Sequence, residues 1–284
     1  MTAPRTVGVL GGGRMGAGIA HAFLLAGADV VVVERDDNQA DAAAERVRQS
    51  VARSLELGAV AGSLDRYEAA FSTATDAAAF VDCDLVVEAV PEDRALKTEA
   101  LARAERAMPA ASVLASNTSS ISIDDLAANL ERPERFLGLH FFNPVPASTL
   151  VEVVVGAATS PDVIAAGREW VGAIDKTAIV VRDSPGFASS RLGLALGLEA
   201  IRMLEEGLAD AEDIDAAMML GYRHPVGPLR TTDIVGLDVR LGIAQELAAH
   251  LGERFEPPAL LRRMVAEGKL GRKSGEGFYV WKDE

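Results

Sequence analysis

Apolar residues recur along the chain in two rhythms. Through the first two-thirds, short continuous apolar runs alternate with stretches whose apolar positions fall three and four residues apart. The runs Thr6–Leu10, Val30–Val33, Asp84–Val90, Val113–Ser116, Phe136–Phe142, Leu150–Val155 and Thr177–Arg182 have the length and content of buried strands. Between them, Arg14 to Ala26 places Met15, Ile19, Ala20, Phe23 and Leu24 on one helical face. Asp36 to about Leu57 reads as a long polar helix, and Leu96, Ala100, Leu101 and Ala104 mark another. Ser160-Pro161 supplies an N-cap followed by proline at the first helical position, which opens a helix to about Ile174. Continuous apolar strands alternating with helices predict an α/β layered, mostly parallel, doubly wound sheet.

The rhythm changes at the turn cluster Asp183-Ser184-Pro185-Gly186. Beyond it only helical patterns appear: Phe187 to Glu205, Glu212 to Leu220, Leu229 to Leu251 and Pro258 to Glu267. The expected organisation is an α/β domain over residues 1–184 and an all-α domain over residues 185–284.

Three constellations carry candidate chemistry. The first is Gly11-Gly12-Gly13-Arg14-Met15-Gly16, a G-x-G-x-x-G that follows a strand and opens a helix. Gly11 permits the tight turn, Gly13 lets the backbone approach a pyrophosphate, and Gly16 lets the helix pack closely on the strand. The helix N-terminus adds a positive dipole for the anion. Glu34 ends the next apolar run, 23 residues after Gly11, where a ribose-binding acid belongs. The context makes this a Rossmann-like dinucleotide site. A carboxylate at Glu34 repels a 2′-phosphate, so NAD is the expected cofactor, with Arg35 read as a solvated charge.

The second is His140 in FLGLHFF and Glu152 in LVEVVV. Between them lies Asn143-Pro144-Val145-Pro146-Ala147-Ser148-Thr149, rich in turn formers and centred on Pro146. If the strands fold back, His140 and Glu152 lie opposite each other. A buried glutamate in an apolar strand is unusual without a partner. A histidine oriented by a carboxylate is a general base. The third is Ser116-Asn117-Thr118-Ser119-Ser120 after the strand VLAS, where hydroxyls at a parallel strand's carboxyl end face the ligand crevice. Ser122 with Asp125 resembles a capping box opening a helix.

Composition narrows the rest. The 284 residues carry 28 basic and 42 acidic side chains, a net charge of −14, which disfavours a nucleic-acid binder. One cysteine, Cys83, excludes a disulfide framework and a cysteine-built zinc site, and it reads as a small buried group. No metal is expected. Of the four histidines, His21 falls on an ordinary helix face, His224 in a turn and His250 near a helix end. No apolar run is long enough for a membrane span, and no basic, cleavable leader precedes Thr6, so a cytoplasmic protein without membrane association is expected.

Beyond these readings, the chain resembles the L-3-hydroxyacyl-CoA dehydrogenases, in particular the bacterial 3-hydroxybutyryl-CoA dehydrogenases. The resemblance rests on VGVLGGGRMGAGIA, DLVVEAVPED, LASNTSSISI, GLHFFNPVP, LVEVV, DSPGF, HPVGP, DIVGLD and GRKSGEGFY, in that order along nearly the whole chain. It implies NAD-dependent, reversible oxidation of a (S)-3-hydroxyacyl-CoA to a 3-ketoacyl-CoA. It further implies His140 as catalytic histidine, Glu152 as its carboxylate and Ser119 as the hydroxyl shared by substrate and cofactor. Glu92, Lys97 and Asn143 match the nicotinamide-side pocket, and Lys273 matches a lysine of the C-terminal tail. Ser190, carried over as a catalytic candidate, stands where many relatives have asparagine and can still donate and accept a hydrogen bond. Ser50 matches a CoA-contacting serine, while Leu57 stands where some relatives have a lysine, so that Arg48 or Arg53 would have to substitute. The helical domain is expected to cover the substrate cleft and to form a homodimer. The rival readings are a dehydrogenase of a non-CoA hydroxy acid or sugar acid, and a non-catalytic NAD-binding protein.

Overall fold

The structure is a computed structural model that describes residues 3–281. By contacts the chain divides into two units, Met1–Ser184 and Pro185–Glu284.

The first unit is an eight-stranded sheet with helices. Its strands are β1 (Thr6–Leu10), β2 (Asp29–Val33), β3 (Phe71–Ala74), β4 (Leu85–Glu88), β5 (Val113–Ser116), β6 (Phe136–Phe141), β7 (Leu150–Val155) and β8 (Thr177–Arg182). Its helices are α1 (Arg14–Leu25), α2 (Asp37–Glu56), α3 (Leu64–Ala69), α4 (Arg94–Ala107), α5 (Ile123–Ala127) and α6 (Pro161–Ala173). The strand order is β3-β2-β1-β4-β5-β6-β7-β8. From β3 to β6 all neighbours are parallel. After β3 the chain returns across β1 to β4, so strand order reverses at β1. Ligands bind outside the carboxyl ends of the strands at such a switch point.

β6 and β7 are antiparallel because only residues 142–149 join them, too few for a crossover. β8 then pairs parallel with β7 after the α6 crossover. The sheet core includes Val7, Val9, Ile19, Phe23, Leu85, Leu137 and Val153, all fully buried. Helix starts are capped as their sequences dictate: Asp36 accepts from Gln39 N, Asp93 from Leu96 N and Ser122 from Asp125 N.

The strand Phe71–Ala74 and the short helix before it are absent from the sequence reading. FSTA is short and half polar, and only its pairing with β2 makes it a strand.

The second unit is helical: α7 (Ser189–Glu205), α8 (Ala211–Gly221), α9 (Pro228–Val235), α10 (Leu237–Leu251) and α11 (Ala259–Ala266). The predicted helix from Leu229 to Leu251 is two helices. Gly236 has φ 107°, a conformation closed to other residues at low cost, and it ends α9 while starting α10. Helix α7 begins two residues later than predicted, because Gly186 and Phe187 both take positive φ, 72° and 47°. Leu194, Leu198, Ile201, Ile214, Leu229, Leu237 and Leu247 form the core of this unit. The carboxylate of Asp233 accepts from Phe278 N, Tyr279 N and Trp281 Nε1 at 2.8–3.0 Å, which ties the C-terminal segment to α9.

Candidate active site

The glycine loop joins β1 to α1 at the switch point. Gly11 has φ 98°. A Cβ on Gly16 would lie 1.8 Å from the Gly11 carbonyl oxygen, so α1 packs where only glycine fits. A Cβ on Gly13 would meet nothing within 4 Å, so here the backbone faces open space. Helix α1 also has no side-chain cap and no acid in its first turn, unlike α2. Its first N–H groups are therefore unserved by side chains and suited to an anion.

Glu34, at the end of β2, bends back to this loop. Its Oε1 accepts from Gly12 N at 2.6 Å and its Oε2 from Arg35 N at 3.2 Å. Arg35 is exposed and pairs with Asp36 at 3.1 Å. Arg46 of α2 donates to the Gly12 carbonyl at 3.2 Å. No sequence pattern marked Arg46, since its link to the loop is made only in space. A cleft of about 690 Å³ opens along the loop, lined among others by Gly13, Arg14, Met15, Glu34, Lys97 and Ser119. The open backbone at Gly13, the uncapped α1 and this volume fit a dinucleotide.

The opposite wall follows β4 and β5, whose last residues Glu88 and Ser116 are register partners. Glu88 is fully buried, and its Oε1 accepts from Val90 N at 2.7 Å and from Lys97 Nζ at 2.8 Å. Its Oε2 accepts from Ser116 Oγ at 2.6 Å. Lys97, 1% exposed, also lies 3.2 Å from Glu92 Oε2. Glu92 Oε1 accepts from Thr118 Oγ1 at 2.7 Å, Ser119 N at 2.9 Å and Ser120 N at 3.0 Å. Glu92 therefore organises the loop that carries Ser119. Burial pushes the Glu88 carboxyl above the usual range, against the pull of Lys97, Ser116 and Val90. At Glu92 burial raises the pKa too, but Lys97 and the Thr118–Ser120 donors outweigh it and hold the group below the usual range. Glu88 is the residue the sequence reading missed. It sits inside an apolar strand like Glu152, the one signal by which it could have been found.

On the antiparallel pair, His140 stands opposite Glu152 in register. His140 Nδ1 lies 2.7 Å from Glu152 Oε2, with the residues 5% and 0% exposed. With Glu152 ionised, Nδ1–H donates to it and the imidazole lone pair sits on Nε2. The Phe142 ring packs at 4.5 Å from the imidazole. Asn117 Oδ1 accepts from Phe141 N at 2.9 Å, which ties the end of β5 to the strand that carries His140. Asn117 and Ser119 both line the dinucleotide cleft.

Asn143 and Ser50 line a second cavity of about 420 Å³, together with Arg14, Arg46 and Gln49. Arg14 lines both cavities. The two arginines considered as substitutes for a lysine are engaged elsewhere. Arg48 pairs with Glu68 and Glu45, and Arg53 with Glu56, at 3.0–3.4 Å. Leu57 is 66% exposed. Lys273 and Ser190 belong to the helical unit. Lys273 Nζ donates to Asp238 Oδ2 at 2.7 Å, and Ser190 lies in the first turn of α7. Cys83 is buried, which pushes its thiol up to about 12 and makes it no nucleophile. Among the described residues no group of three or more His, Cys, Asp or Glu could hold a metal ion, and no helix is long and apolar enough to cross a membrane.

Fold and site together define an α/β dinucleotide-binding oxidoreductase with an appended helical domain. The profile of the 3-hydroxyacyl-CoA dehydrogenase NAD-binding domain matches residues 6–184, and that of the family's C-terminal domain matches residues 186–281. The chain belongs to the 3-hydroxyacyl-CoA dehydrogenase family. It is 41% identical over 275 residues to a probable 3-hydroxybutyryl-CoA dehydrogenase of Deinococcus radiodurans, covering 96% of this chain and 99% of that one. It is 42% identical over 280 residues to 3-hydroxybutyryl-CoA dehydrogenase of Mycobacterium tuberculosis, covering 97% and 98%. The crystal structure of (S)-3-hydroxybutyryl-CoA dehydrogenase from Ralstonia eutropha superposes with a TM-score of 0.95 at 38% identity, covering 99% of this chain and all of that one, 100%.

Proposed function

We propose that the protein is an NAD-dependent dehydrogenase that interconverts (S)-3-hydroxyacyl-CoA and 3-ketoacyl-CoA, with 3-hydroxybutyryl-CoA as its substrate. The observation that carries the mechanism is the 2.7 Å contact between His140 Nδ1 and Glu152 Oε2 on paired strands. His140 takes the 3-hydroxyl proton at Nε2, and Glu152 orients the ring and offsets its new positive charge. Ser119 supplies a second hydrogen bond to the same oxygen. In reduction, the imidazolium returns the proton to the ketone. When bound, the nicotinamide supplies the hydride acceptor.

Gly11, Gly12, Gly13, Arg14, Met15 and Gly16 hold the pyrophosphate by backbone and dipole, which works despite the acidic net charge of −14. Glu34 takes the adenosine ribose, and Glu92, Lys97 and Asn143 serve the nicotinamide side. Lys273 joins the cofactor set, Ser190 joins the catalytic set, and Ser50 and Asn143 serve the acyl-CoA. A homodimer through the helical unit and a cytoplasmic location complete the proposal. The exposed Leu192, Leu208, Leu220 and Tyr222 supply apolar surface for that dimer.

The test is steady-state oxidation of NADH with acetoacetyl-CoA, longer 3-ketoacyl-CoAs and free 3-keto acids. Turnover with acetoacetyl-CoA and none with the free acids is expected. Turnover with the free acids alone would replace the CoA substrate by a simple hydroxy acid.

A further inference from the structure

The cleft wall built on β4 and β5 holds three ionisable groups in one hydrogen-bonded chain. Lys97 bridges Glu88 at 2.8 Å and Glu92 at 3.2 Å. With both carboxyls ionised, a state that Lys97, Ser116 and Val90 favour at Glu88 against its burial, two carboxylates against one ammonium leave one excess negative charge. Glu88 and Lys97 are 0% and 1% exposed in their side chains and Glu92 is 35% exposed, so this charge is poorly screened. The reaction proposed above has no use for it. Sheet topology says what lies beside it. Glu34 and the glycine loop occupy the β1–β2 side of the switch point, the place for adenosine ribose and pyrophosphate. The other half of a dinucleotide then falls on the β4–β5 side, where Glu92 and Lys97 line the cleft. That half carries the nicotinamide, which is cationic when oxidised and neutral when reduced.

We propose that the Glu88–Lys97–Glu92 chain discriminates between redox states of the cofactor, its excess negative charge favouring NAD+ over NADH. The inference rests on NAD as the cofactor and assigns Glu88 a role without contact to it. Hydrogen bonding makes the charge separable from the packing. Glu88 Oε1 takes both Val90 N and Lys97 Nζ, while Oε2 takes only Ser116 Oγ. In Glu88→Gln the amide oxygen keeps the first two bonds and the amide N–H can donate to the Ser116 oxygen, so shape is kept while the charge and the acceptor of the Ser116 O–H are lost; Glu92→Gln removes the same charge without touching Ser116.

The experiment measures the dissociation constants of NAD+ and NADH separately, by calorimetry at pH 8, for the wild type and four variants. The ratio of the two constants cancels contacts common to both forms. Glu88→Gln should weaken NAD+ relative to NADH by roughly three- to tenfold. Glu92→Gln should shift the ratio the same way and decides the matter if Glu88→Gln does not fold. Lys97→Met should shift it in the opposite direction. The double variant Glu88→Gln with Lys97→Met restores one excess negative charge and should return towards the wild-type ratio. An unchanged ratio in both glutamate variants, or a shift of the same sign in Glu88→Gln and Lys97→Met, overturns the inference while leaving the cofactor in place. Wild-type protein that binds neither dinucleotide would instead overturn the cofactor reading itself.

Discussion

Two histidines are buried in the sheet unit to nearly the same degree, and their surroundings make them opposites. His140 is 5% exposed and His21 is 3% exposed. His140 stands on a strand beside a fully buried carboxylate, 2.7 Å away. His21 stands on α1, with Nε2 2.8 Å from the Ser54 hydroxyl and Nδ1 without a partner. Burial, reinforced by the Lys176 ammonium, pushes the His21 imidazole down to about 4. A charge on His21 is therefore resisted, whereas a charge on His140 has Glu152 to receive it. Burial alone does not make a histidine reactive; the sign of the nearest charge decides.

The largest effect expected from this contrast is kinetic. His140→Ala should lower turnover by roughly 10²–10⁴-fold with NAD still bound, the range of a lost general base. His21→Asn should leave turnover near the wild-type value, and a comparable loss there would abolish the distinction between the two sites. Glu152→Gln should also reduce turnover strongly, because the amide offers no negative charge to the imidazolium. Steady-state rates, with NAD binding measured in parallel, check all three.

The next effect is on stability and has a defined sign. His21 titrates at about 4 when folded, against 6.5 for the ordinary group, so between these pH values the unfolded chain binds more protons. Stability from this residue is complete above pH 6.5 and is lost as pH falls towards 4, by up to about 3 kcal/mol. Denaturant melts across that window should show a flatter pH dependence in His21→Asn than in the wild type. Glu88, whose raised pKa works in the opposite direction, is common to both proteins and cancels in the difference. The smallest effect is that of Ser54→Ala, which removes the hydroxyl on Nε2 and should cost about 1 kcal/mol with turnover unchanged. Equal pH profiles for wild type and His21→Asn would show that His21 is charged at no cost.

Much of the site was legible because its determinants are local. The loop Gly11–Gly16 declares itself by strand, turn and helix within a few residues. The pairing of His140 with Glu152 follows from a short connection centred on Pro146, which leaves an antiparallel register little choice. The start of α5 was visible in Ser122 and Asp125. By contrast, His21 looked ordinary because helical periodicity names a face and not what covers it. Glu88 was passed over because its partners Lys97 and Ser116 come from other elements, 9 and 28 residues away. The break at Gly236 was masked by apolar spacing that continues on both sides.

The amino-acid order by itself determined the alternation of strands and helices, the change to helices after Asp183-Ser184-Pro185-Gly186, the glycine turn and the hairpin that opposes His140 and Glu152. Each depends on backbone geometry or on contacts across a short stretch of chain. Tertiary structure alone decided which histidine is held neutral, which arginine braces the glycine loop, and that Lys97 is shared between two carboxylates. Those outcomes depend on desolvation and on distances between elements far apart in sequence, and charge energies inside a protein change steeply with both.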